Sequence, residues 1–460
     1  MFGGHGPHIP HVTGRRRGST TSSRKSEDSD HPDTTGEDDT TVVDEGEKSM
    51  LLSIISQLKP GADLSRITLP TFILEPRSML ERITNFMQHP ETLLPMTTID
   101  DPVERFVSVV KFYLSGWHLK PPGVKKPLNP ILGEQFDCYW ELPDKHKAYY
   151  IAEQTSHHPP KSSYFYMAPY HHVRIDGTLK PRSRFLGNSA ASMMEGVSLL
   201  TLLNKGTPGV GEKYILNQPN IYVRGILFGA MKYELGDHVY VKCPENHLVA
   251  DIEFQVKGFF TGTYNAIQGT IKNELTGDIL YEISGKWNEE MYIKDRLTGR
   301  TELLFDATNA KPTLPLVRPI SEQSDKESQR LWEPTITALL KRDQDTATDE
   351  KVKVEEKQRS DTRKREADGI EWVPQLFRPT SDFGLDFIIN ANVDGKDPET
   401  LERQMLAIAP ILPGSHPHGK FSIPPHQNHP SAPTSIAHED NLIELEPDTS
   451  KADIKGASST

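Results

Sequence analysis

A series of short apolar segments between about residues 130 and 305 constrains the fold of this 460-residue chain more than any other feature. Apolar and polar residues alternate in several of them, as in 249–254, and turn-forming pairs such as Gly236-Asp237 and Gly277-Asp278 separate them. This texture predicts a meandering antiparallel sheet. A large antiparallel sheet has to cover its edges or close on itself, and closure creates an interior. The sequence therefore favours a closed or nearly closed barrel that is large enough to hold a ligand.

Helical patterns lie on both sides of the predicted sheet. Apolar residues from Leu51 to Leu58 follow helical spacing before Pro60-Gly61 ends the segment. This short helix beside a polar tail is either ordinary core packing or a movable lid. The other predicted helices cover 78–94, 102–117, 327–340 with an interruption at Pro334, 347–368 and 398–408. The expected fold class is α+β, mainly β.

Composition separates a central block from two polar ends. Residues 1–49 and 411–460 lack a sustained apolar period, and we predict that both are disordered tails. The net charge of −12 argues against bulk nucleic-acid binding, and two cysteines suit a reducing compartment. No apolar run is long enough to span a bilayer, and the N-terminus lacks the apolar core of a secretory signal. We therefore expect a soluble cytoplasmic protein without a nucleic-acid partner.

The strongest local signal is the segment 153–160, EQTSHHPP. Prolines stiffen the chain beside His157 and His158, and imidazoles held in this way can donate hydrogen bonds to phosphate groups. An exposed polar turn is a second interpretation. A metal site that includes the pair His171-His172 is a third, although no Asp, Glu or Cys lies at ligand spacing beside them. The residues alone leave these interpretations open.

Catalytic signatures are weak in this chain. The segment 209–213 lacks the spacing of a phosphate-binding loop, and 187–191 lacks the second glycine of a nucleophile elbow. The sequence contains no HExxH zinc helix. We expect a protein that is not an enzyme and that needs neither a cofactor nor a metal ion.

Four separated motifs resemble those of the oxysterol-binding-protein-related family and occur in the family's order. They are 125–134 (KKPLNPILGE), 153–160 (EQTSHHPP), 184–189 (RFLGNS) and 284–287 (SGKW). Thr155 is one departure, because many members carry Val at that position. The resemblance covers about residues 50–410.

The resemblance implies a large near-closed antiparallel β-barrel around an apolar tunnel, with an N-terminal lid and a C-terminal helical subdomain. In this family a single lipid occupies the tunnel with its headgroup near the mouth. The implied boundaries are a tail at 1–49, a lid and first strand region at 50–77, a helical layer at 78–118, the barrel core at 119–310, the helical subdomain at 311–410 and a tail at 411–460.

The resemblance also implies a binding site for phosphatidylinositol 4-phosphate. The residues that match the family's motifs are Lys126, Asn129, His157, His158, Lys351, Glu355 and Arg359. The last three lie at i, i+4 and i+8 on one helix face, where the residues alone favour an exposed salt-bridge ladder. Together with the other motifs, the same three residues favour a role in headgroup binding.

The lid segment 64–78 (LSRITLPTFILEPRS) resembles the branch of the family that carries phosphatidylserine rather than sterol. A phosphoserine headgroup needs acceptors for its ammonium and donors for its carboxylate and phosphate. The residues that match this branch are Leu69, Thr71, Lys126, Asn129 and Ser183.

The predicted function is cytosolic lipid transfer that exchanges phosphatidylserine for phosphatidylinositol 4-phosphate between membranes. The resemblance implies a monomer that contacts anionic membranes transiently, as a peripheral protein at endoplasmic reticulum–plasma membrane contacts. One alternative is a sterol/phosphatidylinositol 4-phosphate exchanger, which would extract sterol from liposomes. Another is a phosphoinositide-regulated scaffold, which would bind lipid without transferring it. A third is a metal-dependent lipid hydrolase.

Overall fold

The computed structural model describes residues 40–415, apart from 65, 66, 68, 258–261 and 396. Strands dominate this part of the chain, and most of them follow one another between residues 126 and 306. The strands are β1 Thr40–Val42, β2 Leu74–Ser78, β3 Lys126–Leu128, β4 Gln135–Glu141, β5 Lys147–His157, β6 Pro160–Ala168, β7 Val173–Phe185, β8 Ser189–Leu202, β9 Glu212–Leu216, β10 Asn220–Arg224, β11 Ala230–Cys243, β12 Leu248–Phe254, β13 Ala266–Asn273, β14 Ile279–Lys286, β15 Glu290–Asp295, β16 Thr301–Asp306, β17 Phe377–Pro379 and β18 Phe387–Ile389.

The helices lie before and after the strand-rich region, as the sequence predicts. None of those in the described part of the chain is long and apolar enough to cross a membrane. The helices are α1 Glu45–Ser56, α2 Met79–Arg82, α3 Pro90–Leu93, α4 Pro102–Ser115, α5 Ser328–Leu331, α6 Glu333–Leu340, α7 Gln344–Ala367 and α8 Pro398–Leu406.

The large sheet confirms the predicted class, α+β and mainly β. Its strand order is β16-β15-β14-β13-β12-β11-β10-β8-β7-β6-β5-β4, and its ladders are antiparallel. The end strands β16 and β4 do not pair within the described residues, so the sheet has a seam. The chain after β16 covers the β4 edge, because Tyr139 and Leu316 exchange backbone hydrogen bonds of 2.9 and 2.7 Å. This contact leaves fewer exposed backbone groups on the edge.

Helix α4 fills part of the interior of the sheet. Asp101 caps its N-terminus by accepting hydrogen bonds from the backbone N–H groups of Val103 and Glu104, both at 2.9 Å, and Pro102 occupies the first turn. Its apolar stripe is buried against β11, β12 and β16 in the main hydrophobic core. The stripe consists of Phe106, Val109, Val110, Tyr113 and Leu114.

The N-terminal part of the fold begins earlier than predicted. Residues 40–49 belong to the predicted tail, yet they form β1 and the start of α1. A capping box starts this helix: Asp44 accepts from the Glu47 N–H at 2.7 Å, and the Glu47 carboxylate accepts from the Asp44 N–H at 3.2 Å. At the other end, Ile411 is buried although the predicted C-terminal tail starts there. Residues 1–39 and 416–460 of the predicted tails lie outside the described residues.

Two local predictions are wrong, and in each case the local backbone conformation explains the difference. The predicted helix 78–94 is divided into α2, α3 and short 3-10 turns, and prolines occupy the first turns of α3 and of the 3-10 turn after it. Gly236-Asp237 is not a turn between strands, since both residues lie inside β11. Asp237 has a φ of 75°, and there β11 changes partner from β10 to β12.

The C-terminal segments pack on the outer face of the sheet and beside β2 and β3. The hairpin β17–β18 and α8 form an apolar cluster with side chains of β5 and β6. Helix α6 contacts both α7 and β2, and Trp332 is fully buried with Leu74, Leu128 and Ile131. Helix α7 is thereby held next to the loop that follows β3.

Candidate functional site

A cavity of about 290 Å³ opens between the lid segment, the helical layer and strands β7, β8, β10 and β11. Its wall is mainly aliphatic on the side of the lid. The residues of the predicted lid and first strand region that line it are Leu51, Ile54, Ile55, Leu58, Leu64, Leu69 and Ile73.

A group of polar side chains, which we call the polar end, lines the same cavity. The polar end consists of Lys126, Asn129, His157, His158 and Ser183. The structure therefore brings five of the predicted binding residues to one cavity, and Leu69 lies on the wall of this cavity. These residues come from the loop at β3, the end of β5 and strand β7, which the sheet topology places together.

The three predicted residues of α7 share its inward face. Lys351 is only 9% exposed, and its Nζ lies 2.6 Å from Glu355 Oε1. Arg359 Nη2 lies 3.7 Å from the other carboxylate oxygen of Glu355. The predicted ladder thus exists, but it is half-buried and faces the polar end. The charge of Lys351 acts with burial to lower the pKa of Lys126, while Glu355 opposes this shift.

The two histidine rings meet edge to face, with their centroids 4.4 Å apart. His157 is the last residue of β5, and its Nδ1 lies 3.1 Å from His158 Nε2. Burial, together with the nearby charges of His158 and Arg359, lowers the pKa of His157 to about 4. In the ligand-free protein His157 is therefore neutral at pH 7. Within the described residues no cluster of three or more His, Cys, Asp or Glu side chains is arranged to hold a metal ion.

Thr71 differs from the other predicted residues, because its hydroxyl is directed at α7. It donates to Gln344 Oε1 at 2.6 Å and lies 3.4 Å from the Thr348 hydroxyl. The side chain of Thr71 therefore ties the lid segment to the start of α7, and its role in headgroup binding stays a prediction.

A buried carboxylate that sequence reasoning missed as a functional residue fixes the loop after β3. Glu134 Oε1 accepts from the hydroxyls of Ser78 at 2.5 Å and Ser328 at 2.7 Å. Its Oε2 accepts from the Trp332 indole N–H and the Ile131 backbone N–H, both at 3.0 Å. Burial raises the pKa of Glu134, whereas these donors lower it. The only sequence signal was the position of Glu134 at the end of KKPLNPILGE.

The first residue of EQTSHHPP has an equivalent structural role on the other side of the polar end. Glu153 is fully buried, and its two oxygens accept from the backbone N–H groups of Gln375 and Leu376, each at 2.8 Å. Burial raises the pKa of Glu153 to about 7, although these hydrogen bonds oppose the shift. The motif thus joins β5 to the C-terminal segment before it reaches the histidines.

The arrangement suits a molecule that is apolar over most of its length and anionic at one end. Aliphatic walls remove the hydrocarbon part from water, and the cations and imidazoles of the polar end can bind an anionic group. The fold and the cavity thus define a lipid-binding protein.

Comparisons with known proteins agree with this class. The model of the oxysterol-binding protein family matches residues 53–339 and 334–397. The chain is 52% identical over 412 residues to oxysterol-binding protein-like protein OBPalpha of Candida albicans, covering 88% of this chain and 95% of that protein. It is 51% identical over 411 residues to oxysterol-binding protein homolog 6 of Saccharomyces cerevisiae, covering 87% and 91%. A crystal structure of the Osh1 ORD domain in complex with cholesterol matches with a TM-score of 0.65 and 25% identity, covering 79% of this chain and 91% of that one.

The chain therefore belongs to the oxysterol-binding protein family, which confirms the resemblance of its motifs. Members of this family bind and transport lipids.

Gly133 offers a test of how tightly the loop after β3 is held. It has a φ of 73°, and a Cβ atom there would lie 2.4 Å from Cη2 of Trp372. Gly299 is a matched control, with a φ of 72° and no atom within 4 Å of a Cβ. We expect Gly299→Ala to lower the free energy of unfolding by about 1 kcal/mol through backbone strain. Gly133→Ala should lower it by about 1–3 kcal/mol more through overpacking. Urea denaturation measures both values, and equal losses would contradict the packing role of Trp372.

Proposed function

We propose that this protein exchanges phosphatidylserine for phosphatidylinositol 4-phosphate between two membranes. The observation that carries the proposal is that one largely apolar cavity is lined by residues matched to both lipids, namely Leu69, Lys126, Asn129, His157, His158 and Ser183. Two lipids that need the same cavity exclude each other, so uptake of one requires release of the other. We further propose a monomer that contacts anionic membranes transiently, as a cytoplasmic, peripheral protein at endoplasmic reticulum–plasma membrane contacts.

The phosphomonoester of phosphatidylinositol 4-phosphate suits the part of the polar end next to α7. His157 and His158 provide imidazole donors there, and Arg359 is close enough to affect the pKa of His157. A phosphomonoester carries nearly two negative charges at pH 7. Such a group would offset the repulsion between the charges of Lys126 and Lys351.

The headgroup of phosphatidylserine suits the part of the polar end next to the lid. The Lys126 ammonium and the Asn129 amide can donate to its phosphate or carboxylate, and the Ser183 hydroxyl can donate or accept. Its ammonium needs acceptors, and backbone carbonyl groups of the segment Leu69–Thr71 are suitable ones. Leu69 lines the cavity, which supports a position of this segment beside the acyl chains.

The cavity makes transit possible because it replaces the bilayer around the acyl chains. Each acyl methylene exposed to water costs about 0.8 kcal/mol, so a two-chain lipid does not cross water unaided at a useful rate. An aliphatic cavity removes most of this cost without having to bind lipid more tightly than a bilayer does. A gradient of the phosphoinositide can then drive transport of the other lipid.

Sterol is a second candidate for the exchanged lipid, and a small cavity next to the large one favours it. A smaller cavity of about 40 Å³ shares Phe86, Trp117 and Gln218 with the large one. It is lined by Tyr113 and Trp117, whose hydroxyl and indole N–H have no hydrogen-bond partner within the described residues. A ligand hydroxyl or a water molecule would satisfy them. Extraction of sterol from liposomes by the purified protein decides between the two candidates.

The first test concerns the phosphomonoester. The double change His157→Ala and His158→Ala removes donors from the polar end and leaves the aliphatic wall intact. We expect extraction of phosphatidylinositol 4-phosphate from liposomes to collapse, while extraction of phosphatidylserine survives at least in part. The matched control is His171→Ala with His172→Ala, a second pair of adjacent histidines that does not line the cavity. Equal loss of both lipids in a normally folded double variant would contradict the headgroup assignment.

The second test concerns the lid. Leu69→Asp places a carboxylate against the aliphatic wall and near a lipid phosphate, and both contacts are unfavourable. We expect phosphatidylserine transfer to be abolished and phosphoinositide binding to be weakened less, because Lys126, the histidines and α7 also hold the second headgroup. Leu52→Asp is the control, since it adds the same charge at a partly exposed lid position outside the cavity lining. Thermal melting verifies folding, and a folded Leu69→Asp protein with the parent transfer rate would refute the lid assignment.

The third test concerns pH. A phosphomonoester beside His157 stabilises the imidazolium, so the pKa of His157 is higher in the complex than its value of about 4 in the free protein. The complex then binds more protons, and affinity should rise as pH falls from 8 toward about 6, where the phosphate itself begins to protonate. Binding enthalpies measured in buffers with different ionisation enthalpies give the number of protons taken up. Proton uptake of the same size with phosphatidylserine would contradict this assignment.

A further inference from the structure

A glutamine on α7 contacts two of the segments that carry residues of the polar end, the loop after β3 and the end of β5. Gln358 lies on the same inward face as Lys351 and Glu355, seven residues after the first and three after the second. The Leu132 backbone N–H donates to its Oε1 at 3.1 Å. Its Nε2 lies 3.1 and 3.2 Å from the two ring nitrogens of His157. Gln358 therefore joins the loop after β3 to the end of β5.

The orientation of this amide follows from its partners. A backbone N–H can only donate, so the amide oxygen of Gln358 must face Leu132. The NH₂ group then faces the His157 ring, and it can only donate. Its nearly equal distances from the two ring nitrogens place it over the imidazole rather than along one lone pair, so it restricts rotation of the ring.

The charges around His157 agree with this orientation. The NH₂ group of Gln358, the His158 ring and the Arg359 guanidinium face it from α7 and from the turn after β5. The charges of His158 and Arg359 favour the neutral imidazole in the ligand-free protein, and a bound anion favours the charged one.

We propose that Gln358 is a positioning residue that holds the His157 imidazole toward the cavity and thereby selects a phosphomonoester headgroup over a phosphodiester headgroup. This inference rests on the proposed function. The residues assigned to phosphatidylserine are Leu69, Thr71, Lys126, Asn129 and Ser183, whereas the hydrogen bonds of Gln358 reach Leu132 and His157. Loss of its amide should therefore affect the phosphoinositide selectively.

Two substitutions distinguish the contribution of the Gln358 amide oxygen from that of its NH₂ group. Gln358→Met has a similar length without donor or acceptor, so it loses both contacts. Gln358→Glu keeps an acceptor for the Leu132 N–H and replaces the donor over His157 by a negative charge. The control is Val352→Met, at an exposed position of α7 that does not line the cavity.

The first readout is extraction from phosphatidylcholine vesicles that contain either phosphatidylinositol 4-phosphate or phosphatidylserine. We expect Gln358→Met to reduce phosphoinositide extraction about tenfold and to change phosphatidylserine extraction less than about twofold, in line with the loss of its part-buried polar contacts. Gln358→Glu should reduce phosphoinositide extraction further, because its charge repels the phosphate. Val352→Met should match the parent protein with both lipids.

The second readout is the titration of His157 in the lipid-free protein, followed by imidazole NMR, with thermal melting to verify folding. Gln358→Glu should raise the pKa of His157 more than Gln358→Met does, and Val352→Met should leave it unchanged. A parent-like titration in Gln358→Glu, parent-like extraction in Gln358→Met, or equal loss of both lipids would overturn the inference. A parent protein that extracts neither lipid contradicts the proposed function instead, and the titration then decides the positioning role alone.

Discussion

The carboxylate of Glu134 joins three parts of the molecule that are far apart in the sequence. It accepts hydrogen bonds from Ser78 before α2, from Ile131 in the loop after β3, and from Ser328 and Trp332 in the C-terminal helices. A carboxylate in an apolar interior is costly unless its oxygens are satisfied, so these four donors have to stay in place together. The loop that carries Lys126 and Asn129 is thus fixed relative to α7, and both sides of the polar end depend on this contact.

In the polar end, burial and neighbouring positive charges disfavour the charged forms of Lys126 and His157. Burial and the charge of Lys351 disfavour the charge of Lys126, and Glu355 partly compensates. His157 remains neutral because it is half-buried among positive charges. A bound anionic headgroup would stabilise these positive charges together. The aliphatic wall contributes no selectivity for charge. Recognition and transport are therefore separated in space along one cavity.

The repetitive features of the sequence were the easiest to predict. Alternation and turn residues indicated a large antiparallel sheet, and the stripe Lys351, Glu355 and Arg359 placed three charges on one face of α7. Gln358 lies on the same face of α7, but a single uncharged residue forms no periodic pattern, so the sequence did not indicate its role. The helix predicted over 78–94 failed because a regular apolar pattern does not reveal where prolines restart the backbone in short turns. The turn predicted at Gly236-Asp237 was wrong because a bend inside a long strand favours the same residue types as a turn between strands.

The sequence by itself determined the fold class, the family and the residues of the motifs, since these depend on local periodicity and on short contiguous patterns. Only the tertiary structure decided which of those residues meet. It directed the Thr71 hydroxyl to Gln344 instead of the cavity, and it brought Leu132 and His157 to the same amide. Such contacts join residues more than 200 positions apart, so they depend on how α7 packs against the loop after β3. Burial, which sets the pKa values of His157 and Glu134, likewise exists only once the distant segments have packed together.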